Sequence, residues 1–319
     1  MTKTAVVLFN LGGPDSLAAV EPFLFNLFSD PAIIRLPNPF RRLLAKFIAW
    51  RRAPAAGEIY KRLGGASPLA ANTESQARAL ERALSAKGAF KVFMAMRYWH
   101  PFARETARAV KTYGAARCVL LPLYPQFSST TTASSLADWE RAAKAEGLNV
   151  PSSAVCCFPE EEKFIAAHAA LIEPLLRHAV KKGPARVLFS AHGLPERVVT
   201  AGDPYVFQVE KTVAAIAATL KKKGLLKEAD VALSYQSRVG PLKWIGPSIV
   251  DEIRRAGRER RNLVVVPVSF VSEHAETLVE LDIESKALAA KAGVPLFFRA
   301  PALGTHNSFV ASLARLVLE

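Results

Sequence analysis

The chain has 319 residues, 50% of them hydrophobic, with 42 Lys and Arg against 28 Asp and Glu and a net charge of +14. That length allows about two domains, and the composition excludes a disordered chain. No stretch reaches the ~18 uninterrupted apolar residues of a membrane span, and the excess positive charge points to an anionic partner.

Residues 4–10 read as a strand. Leu11-Gly12-Gly13-Pro14-Asp15-Ser16 then forms a tight loop, with Asp15 or Ser16 as the cap of a helix over 16–28. The run at 5–9 is too short for a signal peptide. Pro31, Pro37 and Pro39 break the next segment. Phe40, Leu43, Leu44, Phe47, Ile48 and Trp50 then interleave with Arg41, Arg42, Lys46, Arg51 and Arg52. This is a basic amphipathic helix, which can lie in a membrane interface or pack its apolar face on a core. The preceding Ile33, Ile34 and Leu36 favour an exposed apolar lip.

Helix 72–86 and strand 91–96 follow, the strand ending in Arg97-Tyr98-Trp99-His100-Pro101. A helix to 113 leads to strand 116–123 and Tyr124-Pro125-Gln126-Phe127. The hydroxyl-rich stretch 128–135 suits either an anion at a helix N-terminus or plain capping. A second half begins near Pro151, with strand 154–158 and helix 160–180. The apolar run from Val187 stops at Ser190-Ala191-His192-Gly193, where the carboxyl end of a buried strand places ligands in open α/β sheets. An imidazole there can move a proton, hold a metal or simply satisfy a loop carbonyl. Then come loop 196–204, helix 205–223, strand 231–235, a helix to 258, strands 263–270 and 296–299, and helix 307–318.

Strands alternate with helices throughout, which predicts α/β architecture with doubly wound parallel sheets. Val7-Leu8-Phe9-Asn10 before a Gly-Pro loop echoes Val187-Leu188-Phe189-Ser190 before another, as two similar halves would. Cys118, Cys156 and Cys157 have no metal-ligand spacing, and without a disulfide framework a cytoplasmic location is expected. The basic residues are spread along the chain with no nucleic-acid motif.

Of the six histidines, only His192 and His274 follow a strand end beside other reactive groups. After strand 263–270, Glu273, Glu276, Glu280 and Glu284 would share one helical face. Such like-charge pairs cost a few tenths of a kcal/mol each. The reading is a ladder for a divalent cation or a proton relay, against a merely solvated acidic face; oxygen and imidazole donors suit Fe2+ or Mg2+.

Nine stretches in order along the chain stand out together: Asn10-Leu11-Gly12-Gly13-Pro14, Arg51-Arg52-Ala53-Pro54 with Tyr60, Gly64-Gly65-Ala66-Ser67-Pro68, Arg97-Tyr98-Trp99-His100-Pro101 and Tyr124-Pro125-Gln126-Phe127-Ser128. They continue in Phe189-Ser190-Ala191-His192-Gly193-Leu194-Pro195, Gly202-Asp203-Pro204-Tyr205, Gln236-Ser237-Arg238-Val239-Gly240-Pro241 with Trp244, and Ser272-Glu273-His274-Ala275-Glu276-Thr277-Leu278. In these stretches the chain resembles the ferrochelatases. The resemblance implies two flavodoxin-like domains facing across a porphyrin cleft. These would be residues 1–150, carrying the lip at about 30–54 and joined by helix 306–319, and residues 151–305. It implies an enzyme inserting Fe2+ into protoporphyrin IX at the end of haem synthesis. His192 and Glu276 would be the catalytic and metal-facing pair. Glu280 and Glu284, with Glu273 and His274, would line a metal or proton path. Leu11, Arg52, Tyr60, Ser67, Tyr124, Ser128 and Trp244 would contact the porphyrin, and Ile33, Ile34, Leu43, Phe47 and Trp50 would form the membrane lip.

Two departures qualify the likeness. Leu11 stands where the family often has methionine or tyrosine, and cannot ligate a metal. No cysteine follows Cys157, so no iron–sulfur cluster and no other cofactor is expected. The expected partners are porphyrin, Fe2+ and a membrane surface met peripherally, not nucleic acid; oligomeric state is left open. Coproporphyrin III or another metal or tetrapyrrole as substrate, and a non-catalytic tetrapyrrole carrier on the same fold, are the alternatives.

Overall fold

A computed structural model describes residues 2–238 and 242–319. Val239, Gly240 and Pro241 of the motif after Gln236 lie outside the described residues. The chain divides into two units, Met1–Cys157 with Leu313–Glu319, and Phe158–Ser312.

The first unit contains β1 (Thr4–Asn10), α1 (Val20–Phe28), α2 (Phe40–Lys61), α3 (Leu69–Leu84), β2 (Phe90–Met96), α4 (Ala103–Tyr113), β3 (Arg117–Pro122), α5 (Thr132–Ala145) and β4 (Ser152–Ala154). Its sheet is parallel, in the order β2-β1-β3-β4. β1 is buried along its whole length, as a strand covered on both faces must be; hence its unbroken apolar run. Ala103, Ala107 and Val110 of α4 and Trp139 of α5 pack against Ala5, Val7, Phe9 and Leu120.

The second unit contains α6 (Glu162–Val180), β5 (Ala185–His192), α7 (Glu196–Thr200), α8 (Tyr205–Lys222), β6 (Ala229–Gln236), α9 (Ile249–Arg258), β7 (Asn262–Pro267), α10 (Ala275–Leu278), α11 (Lys286–Lys291) and β8 (Phe297–Arg299); α12 (Asn307–Leu318) straddles the division. A π-helical turn, Glu280–Ser285, separates α10 from α11. The sheet is again parallel, in the order β6-β5-β7-β8. β5 therefore occupies in this sheet the place of β1 in the other, which is the origin of the shared Val-Leu-Phe run.

Several boundaries differ from those read in the sequence. Ser16 accepts the Ala19 N–H in a turn of its own (3.3 Å), so α1 starts only at Val20. The strand expected over 154–158 forms at Ser152–Ala154 and pairs with β3, so this segment completes the first sheet. The expected loop 196–204 contains α7. The strand expected to reach 270 ends at Pro267, where the Phe270 N–H closes a turn onto the Pro267 carbonyl (3.3 Å).

α2 continues through Pro54 to Lys61. It buries Ala45 and Ala49 and leaves Phe40, Leu43, Phe47 and Trp50 59–66% exposed. The large apolar face thus does not pack on the unit's core. Ile33 and Ile34 are half-buried.

Candidate active site

His192 is the last residue of β5, and Gln236, the last of β6, is its register partner. The backbone places both side chains at the carboxyl edge of the second sheet. Gly193 makes the turn beyond: its N–H donates to the Gln236 carbonyl (2.9 Å). A Cβ on Gly193 would stand 2.8 Å from that carbonyl oxygen and 3.3 Å from the Trp244 ring. Glycine is required for so close an approach, and it brings the half-buried Trp244 beside His192. The His192 N–H donates to Ser269 Oγ (3.0 Å) in the turn after β7.

His192 Nδ1 lies 2.7 Å from Glu276 Oε2, in the first turn of α10. Facing a carboxylate, Nδ1 carries the hydrogen. Nε2 has no protein partner among the described residues, and the two side chains are 38% and 23% exposed, so a substrate can reach them.

The surrounding polar groups converge on the same carboxylates. Ser190 Oγ donates to Gln236 Oε1 (2.7 Å), which aims the Gln236 amide nitrogen at the Glu276 carbonyl (2.9 Å) and Glu280 Oε2 (3.1 Å). Ser237 sits at φ +63°, a backbone region uncommon for a non-glycine residue. There its hydroxyl reaches Glu276 Oε2 (2.9 Å) and Glu280 Oε2 (2.7 Å). One hydroxyl proton thus lies between two carboxylates.

Like charges that close cannot both ionise freely. Burial, then the Glu276 charge, pushes Glu280 up to about 7. Burial also opposes charge on Glu276, but the facing His192 outweighs it and holds Glu276 at about 2. Burial likewise opposes the His192 imidazolium, and Glu276 more than offsets it, so the His192 pKa is raised. Burial lowers His274, whose ring packs against Phe270 with centroids 4.7 Å apart. The result is an imidazole–carboxylate pair backed by a carboxyl group that changes charge near neutrality.

The acidic ladder is not one α-helical face. Glu273 precedes α10 and pairs with Arg299 Nη1 (2.5 Å), away from His192. The backbone beyond Leu278 widens into the π turn, where the Glu284 N–H reaches back five residues to the Val279 carbonyl (2.9 Å). Glu284 is exposed and makes no hydrogen bond or ion pair with the His192–Glu276–Glu280 set. Only Glu276 and Glu280 converge. Among the described residues, no group of three or more His, Cys, Asp or Glu side chains is arranged to hold a metal ion.

The remaining singled-out residues stand on the first unit. Leu11 follows β1 and is half-buried. Tyr124 follows β3 with its hydroxyl 3.4 Å from Ser135 Oγ, and the buried Ser128 bonds Thr130 Oγ1 (2.8 Å). Arg52 and Tyr60 lie on α2, with the Arg52 guanidinium over the Phe28 ring (5.6 Å). Ser67 Oγ accepts the Leu69 N–H (3.3 Å).

Four site contributors carry no role in the sequence reading: Gln236, Ser237, Ser269 and Arg299. Arg299 has a signal, a cation closing an apolar strand. Its guanidinium forks onto Asp282 (2.8 and 2.5 Å) and also takes Glu273. The first unit has a similar buried network. Asp30 accepts from Arg97 (2.8 Å), Tyr98 (2.8 Å) and Ser134 (2.5 Å).

A family model described as Ferrochelatase matches residues 3–319. The chain is 53% identical over 319 residues to the ferrochelatase of Phenylobacterium zucineum, covering 99% of this chain and 91% of that one. It is 48% identical to the ferrochelatase of Rickettsia bellii, covering 99% and 87%. Among solved structures, SirB from Bacillus subtilis with Fe3+ matches at a TM-score of 0.58 and 15% identity, covering 100% of this chain and 95% of that one; this likeness bears on the fold alone.

Proposed function

The chain belongs to the ferrochelatase family, and from that premise we propose that it inserts Fe2+ into protoporphyrin IX, forming protohaem and releasing two protons, through His192 and Glu276. The observation that carries this reading is the 2.7 Å contact between His192 Nδ1 and Glu276, with Nε2 left without a protein partner among the described residues. A free-base porphyrin must lose two pyrrole protons as the metal enters, so a base must stand against the ring. Neutral His192 takes one at Nε2, and Glu276 stabilises the imidazolium. Glu280, linked through Ser237, is the next acceptor, because its carboxyl group changes charge near neutral pH. Trp244, packed on Gly193, braces the wall beside the base. Walls that favour a distorted ring over a flat one would lower the barrier by differential binding.

Iron and porphyrin are substrates in this reading, and no resident cofactor is invoked. The exposed face of α2 meets a membrane surface peripherally, in the cytoplasm. The test is an anaerobic metalation assay with Fe2+ and either protoporphyrin IX or coproporphyrin III, followed by absorbance. Protoporphyrin is expected to be metallated faster. His192→Ala is expected to bind porphyrin and turn over at least about 100-fold more slowly; turnover at the unsubstituted rate overturns the proposal.

A further inference from the structure

We propose that Cys156 and Cys157 form a two-sulfur site for a monosubstituted trivalent arsenical. The pair follows β4, at the end of the first unit. The two Sγ atoms are 3.3 Å apart, with Cys156 exposed and Cys157 partly so. The segment is tied to the sheet of the first unit, where the Val155 N–H donates to the Leu120 carbonyl (2.9 Å). Both sulfurs are therefore presented together before any ligand arrives, which removes part of the ordering cost of binding.

Geometry selects the ligand. Adjacent Cα atoms lie about 3.8 Å apart, short of the ~4.4–6.8 Å that a disulfide spans, so a direct bond between these neighbours is strained. An atom inserted between the sulfurs relieves that. Sulfurs 3.3 Å apart on bonds of about 2.3 Å subtend roughly 90° at the bridging atom. A tetrahedral zinc ion needs them opened to about 3.8 Å, and a linear ion to about 4.6 Å. A pyramidal arsenic(III) centre, with bond angles near a right angle, takes them as they stand.

The step balances without redox chemistry. Both S–H bonds and both As–OH bonds of R–As(OH)2 break, two As–S bonds form, and two waters leave. Cys118 is 1% exposed and does not compete in the folded protein.

Reduced full-length protein is treated with phenylarsine oxide, then examined by intact mass and peptide mapping. One phenylarsenic group per chain is expected on the peptide carrying both cysteines. It should be displaced by a dithiol and not by the same concentration of monothiol. Cys156→Ser and Cys157→Ser should each weaken retention at least about tenfold. Prior alkylation of the unsubstituted protein with iodoacetamide should abolish labelling, an arm independent of any variant's folding. Labelling that maps to Cys118, or persists at full affinity in either serine variant or after alkylation, overturns the proposal.

Discussion

Glu276 sets the charge on His192, and removing that charge has a direction. The His192 pKa is raised because Glu276 faces it. A base must be neutral to accept a proton, so the acid limb of the pH–rate profile should lie above the ordinary histidine value. Glu276→Gln keeps the shape and deletes the larger opposing charge, and only Glu280 is then left to oppose burial on the imidazole. The acid limb of kcat/KM should move to lower pH while kcat falls; a limb that stays in place would show that His192 is not the titrating base. Glu280 gives the opposite sign in stability. Its folded pKa of about 7 lies above the ordinary 4.5, so the native state binds the extra proton, and Glu280 costs stability as pH rises from about 4.5 through 7. Glu276, held at about 2, stabilises above its ordinary value, and that contribution is lost as pH falls toward 2. Glu280→Gln should therefore flatten the decline in the urea midpoint between about pH 5 and pH 8, with the acid side unchanged.

The elements that carry these residues were legible to different degrees, for physical reasons. β5 was legible because a strand buried on both faces needs an unbroken apolar run, and the run's abrupt end located His192. Glu276 was legible as one of a strip of acids, but its partners were not. Counting by α-helical period put four carboxylates together, whereas the extended backbone at His274 leaves Glu273 with Arg299 ahead of α10 and the π turn after Leu278 leaves Glu284 exposed, so that two carboxylates remain by His192. Ser237 stood inside the Gln236-Ser237-Arg238 motif without a role of its own, since its left-handed backbone is usually a glycine's. Arg299 joins β8 to the π turn and to the loop before α10. Arg299→Ala leaves two carboxylates without their cation and should cost about 2–3 kcal/mol in chemical denaturation. Arg299→Lys should recover only part, because an ammonium cannot fork onto Asp282.

At the scale of the whole molecule, the net charge of +14 and the outer face of α2 favour the same kind of surface. Ala45 and Ala49 let α2 lie close on its unit, and α1 and α2 share an apolar cluster there. The larger Phe40, Leu43, Phe47 and Trp50 are left outside, with Arg41, Arg42, Lys46, Arg51 and Arg52 around them. A soluble monomer rarely leaves so contiguous an apolar patch uncovered. Among the described residues no helix is long and apolar enough to cross a membrane; the contact proposed above is one in which this face rests on a bilayer. Apolar side chains would enter the headgroup boundary, and each basic residue near an anionic surface would add about 1 kcal/mol, screened by salt. Replacing Phe47 and Trp50 together by Glu removes two apolar anchors and two units of charge complementarity. Because both side chains are exposed, their loss should leave stability within about 0.5 kcal/mol. Flotation with anionic liposomes should show the doubly substituted protein unbound while metalation in detergent proceeds at the original rate. Undiminished flotation would mean that the face of α2 is not what meets the bilayer.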